Sequence, residues 1–149
     1  MLEKFKNLFA GNDRHRTKNP RKLELAAAAL MIELCKADFR RDPREQQAMV
    51  DAIRNTFDLN DAALTEIINE AERANASSTS LYEFTSIINE HCDEESKYLL
   101  VCDLWRVAFA DGNLDKYESH LISKIAELIY LPHALYIKAK LEIAARTDA

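Results

Sequence analysis

Glycine and proline are scarce in this chain, and their scarcity limits the fold. Among 149 residues there are two glycines and three prolines, too few to supply the turns of a many-stranded sheet. Apolar residues make up 48% and charged residues 30% of the sequence, a balance typical of a globular chain rather than a disordered one. The length suits one domain with a sizeable core. The sequence therefore predicts an all-α, single-domain helical bundle.

Paired cysteines and long apolar runs are also missing. Cys35, Cys92 and Cys102 are odd in number and contain no Cys-x-x-Cys pair, which favours free thiols in a reducing cytosol. No stretch reaches the roughly 18 consecutive apolar residues that indicate a membrane span. Glu3 and Lys4 interrupt any signal-peptide core. We therefore expect a cytoplasmic protein.

The residue patterns of common enzyme sites are absent from the sequence as well. There is no glycine-rich phosphate loop, and no nucleophile stands at a recognisable spacing from a base. The histidines and cysteines do not have the spacing of zinc ligands. We expect a chain without enzymatic activity.

Charge is distributed unevenly along the chain, whose net charge is −5. Residues 1–22 contain seven Lys or Arg against Glu3 and Asp13, a net +5, which leaves −10 on residues 23–149. Binding to nucleic acid requires a basic surface that neutralises phosphates. The acidic body therefore excludes general nucleic-acid binding.

Residues 1–22 are predicted to form an amphipathic arm followed by a basic linker. Four apolar residues recur at helical spacing in the arm: Leu2, Phe5, Leu8 and Phe9. Such a face beside basic residues suits a protein partner or the surface of an anionic membrane. So short a helix is marginal in isolation, so packing of the arm on its own domain is the alternative.

Residues 23–149 are predicted to form the folded domain. Apolar residues with a helical period mark about seven helices, and two of them, at 23–37 and about 95–110, are apolar on most sides. A shift of 73 residues relates the repeat halves, about 23–75 and 95–147. Two copies of a helical unit bury their apolar faces well about a pseudo-twofold axis, so we predict an internal duplication.

Polar residues mark the predicted helix starts, since their side chains accept bonds from the first-turn amides. The predicted caps are Asp42, Asn60 or Asp61, Ser80, Asp93 and Asp115. Glu33 and Arg106 occupy equivalent positions in the two repeat halves. We predict that these two residues form a structural ion pair.

The turn between the fifth and sixth helices concentrates acidic residues around one glycine. Asp111, Asn113 and Asp115 alternate along it, as the oxygen ligands do in the first half of a calcium-binding EF-hand loop. Glu118 follows three residues after Asp115, and the first repeat half carries a partial copy 73 residues earlier: Asp38, Asp42 and Glu45. These oxygen ligands suit calcium or magnesium better than zinc.

Helix capping is the alternative explanation for part of this set. Asp115 with Glu118, and Asp42 with Glu45, have the spacing of a capping box. Capping does not explain Asp111, although its side chain can bond to its own turn while Gly112 adopts a left-handed conformation.

Over about residues 23–145 the chain resembles the tellurite-resistance TerB family. The residues that carry the resemblance are 104–112 (LWRVAFADG), Glu118 and 125–129 (IAELI), together with 82–86 (YEFTS) and 93–95 (DEE). The resemblance implies an all-helical, duplicated cytoplasmic domain without established catalytic activity, linked in some members to tellurite and other stress resistance. It also implies metal binding by acidic residues, here Asp111, Asp115, Glu118, Asp38, Asp42 and Glu45. Phe39 departs from the Asp-Gly pattern in the first repeat half.

Two functions follow as expectations. The first is a non-enzymatic binding module that holds a divalent cation or a protein partner at its acidic turns. The second is a peripheral membrane adaptor or co-chaperone-like module that uses the arm, because the helices are also similar to those at the start of a membrane-anchored DnaJ-type co-chaperone. The sequence leaves the oligomeric state open.

Overall fold

The computed structural model describes residues 20–37, 43–77, 80–110, 112 and 114–147 of the chain. These residues form seven α-helices and no strand, which confirms the predicted all-α bundle. The helices, numbered in chain order, are α1 (Pro20–Ala37), α2 (Pro43–Phe57), α3 (Asp61–Ser77), α4 (Tyr82–His91), α5 (Glu94–Phe109), α6 (Lys116–Leu128) and α7 (His133–Thr147).

Two of the predicted caps inside the bundle form as expected. The Asn60 side chain accepts a hydrogen bond from the Ala63 amide at 2.8 Å, which places Asn60 rather than Asp61 at the start of α3. The Asp93 side chain accepts from the Ser96 amide at 2.9 Å at the start of α5. These bonds satisfy amides that have no partner within the helix.

One other predicted helix start differs from the structure. The first helix begins at Pro20 rather than at residue 23, because proline has a fixed φ that suits the first helical turn and lacks the amide that would be unsatisfied there. Helix α4 begins at Tyr82, and the side chain of the preceding Leu81 makes no capping bond; the Ser80 cap stays a prediction. The predicted Asp42 cap lies outside the described residues.

Helix α1 lies at the centre of the bundle and packs against α2, α3, α4, α5 and α6. Four consecutive alanines, Ala26 to Ala29, are at most 1% exposed, so the helix is covered around its whole circumference. Because alanine side chains are short, neighbouring helices can approach the α1 backbone closely on several sides at once.

Helix α5 is the second central element and packs against α1, α2, α6 and α7. Its Trp105 is fully buried, with ring centroids 5.7 Å from Phe109 and 5.6 Å from Tyr136. Such offset aromatic contacts add to the free energy gained by burial. They join the end of α5 to α7.

The helix contacts match in pairs under the 73-residue shift. Helix α1 packs on α3 as α5 packs on α7, and α1 packs on α6 as α2 packs on α5. These are the contacts that a twofold arrangement would produce, while the duplication itself stays a prediction. Helix α4, which packs on α1 and α6, has no counterpart among the described helices.

We predict that Ala28→Leu destabilises the protein by about 2 kcal/mol or more, because a fully buried site between close-packed helices cannot accept three extra carbons without strain. The measurement is the free energy of unfolding in urea. Ala62→Leu is the matched control: Ala62 is exposed on α3, so the same change there should alter stability by no more than about 0.5 kcal/mol. Equal effects of the two substitutions would contradict the central position of α1.

Candidate cation site at the acidic loops

Asp115 is the N-cap of α6, as the sequence predicts. Its Oδ1 atom accepts a hydrogen bond from the Tyr117 amide at 2.8 Å. One oxygen of this predicted metal ligand is therefore used by the helix start, while a carboxylate has further lone pairs with which it can bind a second group.

Glu118, in the first turn of α6, is buried. Its relative exposure is 0%, whereas glutamate is almost never fully buried unless it is paired or ligates a metal. A glutamate in the first turn interacts favourably with the positive end of the helix dipole. That interaction is also available to a glutamate at the surface, so it does not require burial. Glu118 is therefore a deeply buried carboxylate at the start of α6.

Gly112 shapes the turn that precedes α6. It has a φ of +76°, and its amide donates to the Phe109 carbonyl at 2.9 Å. The predicted left-handed conformation is confirmed, and it is one that glycine adopts at no steric cost. The neighbouring candidates Asp111 and Asn113 lie outside the described residues.

The first repeat half contains a second buried glutamate. Glu45 is 2% exposed in the first turn of α2, and it lines a pocket of about 260 Å³ with Ile32, Cys35 and Met49 among others. The predicted ligands Asp38 and Asp42 lie outside the described residues. That the two acidic loops lie close together stays a prediction.

Glu45 and Glu118 are related by the 73-residue shift, and the structure gives both the same environment. Each lies on the apolar stripe of its helix: Glu118 is in register with Ile122 and Ile125, and Glu45 with Met49 and Ala52, at intervals of four and seven residues. A charged residue in register with an apolar stripe is expected to face the core, so this burial could have been predicted from the sequence. From the sequence these glutamates were predicted as metal ligands or capping residues, and their burial was not predicted.

The described part of the chain does not by itself complete a metal site. Within it, no group of three or more His, Cys, Asp or Glu side chains is arranged to hold an ion. The apolar arm residues Leu2, Phe5, Leu8 and Phe9 also lie outside the described residues. Any complete ligand set at the acidic loops would therefore include Asp111 or other loop residues beyond those described.

The thiols do not favour zinc. Burial raises the pKa of Cys92 to about 12 and that of Cys102 to about 11, and the thiolate is the form that binds a metal. These two cysteines are therefore core residues with little tendency to ionise.

A buried aspartate in α5 is the main polar feature that the sequence analysis missed. Asp103 is 1% exposed; its Oδ2 atom accepts from Thr56 Oγ1 at 2.8 Å, and its Oδ1 atom accepts from Arg106 Nη1 at 2.6 Å. The three residues join α5 to α2. Two opposite charges three residues apart in a largely apolar helix could have predicted this ion pair from the sequence.

The predicted pair between Glu33 and Arg106 is wrong. Arg106 pairs with Asp103 on its own helix, and Glu33 accepts a hydrogen bond from Asn75 Nδ2 at 2.7 Å. Each charged group therefore has another polar partner close to it, and the two side chains do not pair with each other.

Burial raises the pKa of Asp103 to about 6, even though Arg106 and the Thr56 hydroxyl both act to lower it. In the unfolded chain an aspartate titrates near pH 4. The folded state therefore binds this proton more tightly, and the free energy of unfolding should fall as pH rises from about 4 to about 6. The difference between the two pKa values corresponds to at most about 3 kcal/mol.

We predict that Asp103→Asn removes this component of the pH dependence. Asparagine has the same shape and can still accept from Thr56, but it does not titrate. The measurement is urea unfolding of both proteins at intervals between pH 4 and pH 7, and Glu90→Gln, at an exposed position on α4, serves as the control that should follow the wild type. Parallel curves for the wild type and Asp103→Asn would contradict the prediction.

No helix in the described ranges is long and apolar enough to cross a membrane. This agrees with the sequence, in which no apolar run of that length occurs.

Comparison with known proteins identifies the family. No curated protein and no solved structure matches the chain. The family model described as "Tellurite resistance protein TerB" matches residues 24–141, a range that contains both buried glutamates and most of the helical bundle. Because this match covers well over half of its length, the chain belongs to the TerB family.

Proposed function

We propose that this chain is a non-enzymatic binding module that holds a divalent cation at the acidic loop before α6, with a second, less similar site before α2. The observation that carries the proposal is the complete burial of Glu118 at a loop that also contains Asp111 and Asp115. The same burial recurs at Glu45, next to the loop with Asp38 and Asp42.

The physical argument is the cost of burying negative charge. Moving a carboxylate out of water is strongly unfavourable unless a positive group compensates for it, and further carboxylates nearby increase the repulsion. A divalent cation reverses the sign of this interaction, because each carboxylate then contacts a positive centre. Burial also excludes water that would otherwise compete for the ion.

Calcium or magnesium fits this ligand set better than zinc does. The candidate ligands Asp111, Asp115 and Glu118 offer only oxygen atoms, which hard cations prefer. Asp115 uses one oxygen as a helix cap, so this carboxylate can contribute the other oxygen while the cap holds it in place. Capping and cation binding are therefore compatible at this residue.

Membership of the TerB family connects the proposal to the cell. The description of the family names tellurite resistance, and we propose a role for this chain in the response to tellurite or to another stress. The binding of a cation, or of a basic segment of a partner protein, would then be the event that this module detects. A cytoplasmic location remains part of the proposal.

We predict that calorimetric titration detects calcium or magnesium binding to the wild-type protein, and that Glu118→Gln and Asp111→Asn each weaken it at least about tenfold, a loss of about 1.4 kcal/mol. Manganese and zinc are titrated in the same series to test selectivity. The affinity falls because each substitution replaces a charged oxygen ligand with a neutral amide.

Glu127→Gln is the matched control, because Glu127 is an exposed glutamate near the other end of α6. It makes the same change in net charge and should leave the affinity within about twofold of the wild type, since an exposed charge at a distance is screened. Absence of heat with all four ions would refute the cation site. An equal loss in Glu127→Gln would show that only the overall negative charge attracts the ion.

A further inference from the structure

Two grooves on the bundle are related by the 73-residue shift. The α1–α6 groove is lined by Glu33, Asn75, Ser80, Leu81, Phe84, Leu121 and Lys124. The α2–α5 groove is lined by Ala48, Asp51, Ala52, Asn55, Asp103, Arg106 and Arg146. Glu33, Leu121 and Lys124 of the first correspond to Arg106, Ala48 and Asp51 of the second.

Helix α4 packs against both α1 and α6 beside the first groove, and its Phe84 forms part of one wall of that groove. Its Phe84 is 5% exposed and its Ile88 is fully buried, and its Asn89 side chain donates to the Leu128 carbonyl of α6 at 2.9 Å. Helix α4 is held close to α5, because only Cys92 and Asp93 separate the two helices in the chain.

The second groove is open. It has a volume of about 440 Å³, Asp51 and Asn55 on its rim are exposed, and no helix in the part of the chain that the structure describes occupies it. Alanines stand at positions 48 and 52, where α6 has Leu121 and Ile125. The smaller side chains leave room for a segment with larger apolar residues.

The sequence contains a segment with the pattern of α4 in the matching place. The apolar residues of α4 and of the residue before it are Leu81, Phe84, Ile87 and Ile88, and those of the arm are Leu2, Phe5, Leu8 and Phe9. Both sets have the spacing three, three and one, and both place phenylalanine second. The arm precedes α1 as α4 precedes α5, with a connection that is six residues longer.

We propose that residues 2–9 form a helix that docks in the α2–α5 groove of the same chain. In this proposal the arm is the first-half counterpart of α4. The ten residues between Phe9 and Pro20 can span up to about 33 Å when extended, far more than the two residues that connect α4 to α5.

Two charged positions differ in sign between the two halves of the sequence. Lys124 lines the α1–α6 groove and Glu83 is on α4; the corresponding residues are Asp51 on the rim of the α2–α5 groove and Lys4 in the arm. The sign of the charge is reversed at both positions together. An arm carrying Lys4 therefore fits a groove carrying Asp51, and would fit less well in the groove of α4, where Lys124 lies.

Hydrogen exchange of the full-length protein, followed by mass spectrometry, tests the proposal. We expect the amides of residues 2–9 to exchange at least tenfold more slowly than in an unstructured peptide of the same sequence. Phe5→Asp should abolish this protection, and should also accelerate exchange in residues 48–55 while leaving residues 82–91 unchanged. Asn7→Asp is the control, because it adds the same charge at a polar position of the arm and should retain the protection.

Cross-linking of amines to carboxylates with a carbodiimide then identifies the partner surface. We expect a bond between Lys4 and Asp51 within the monomer, which Asp51→Asn removes. Unprotected exchange of residues 2–9 in the wild type would overturn the proposal. So would a Lys4–Asp51 bond found only in dimers, or protection that develops only after vesicles containing phosphatidylserine are added, since the arm would then bind a second copy or a membrane.

Discussion

The arrangement of the bundle depends on the close approach of five helices to α1, and four small residues make this approach possible. Ala26 to Ala29 are buried on every side, so a larger side chain at any of them would push a neighbouring helix away. Helix α5 has the corresponding position in the second half, but there the buried space is occupied by the large side chain of Trp105. The acidic loops follow directly after these two helices.

The helices could be predicted from the sequence because each carries a long apolar stripe, and periodicity is the strongest local signal that a chain contains. Caps were predictable where a short polar side chain reaches a nearby amide, as at Asn60 and Asp93. Packing of Phe84 and Ile88 against the bundle holds α4 in place.

The polar contacts between helices could not be predicted in the same way. Thr56 and Asp103 are 47 residues apart, and no periodic pattern identifies which side chains meet across two helices. The same limit explains the wrong pair of Glu33 and Arg106, whose equivalence under the repeat suggested a contact that local partners replace. Burial of Glu118 was different, because its register with the apolar stripe of α6 was present in the sequence. Because capping alone could explain a glutamate at this position, the register of Glu118 with the apolar stripe was not used to predict its burial.

The two repeat halves do not imply two equivalent cation sites. The loop before α6 turns through Gly112 at a φ of +76°, a conformation that costs a bulky side chain of order 1–3 kcal/mol. The corresponding residue in the first half is Phe39, so that loop is not expected to follow the same backbone path. Ligands that converge in one loop need not converge in the other, even though Glu45 and Glu118 are buried alike. The proposed cation site is accordingly better supported at the loop before α6, which contains Gly112, than at the loop before α2.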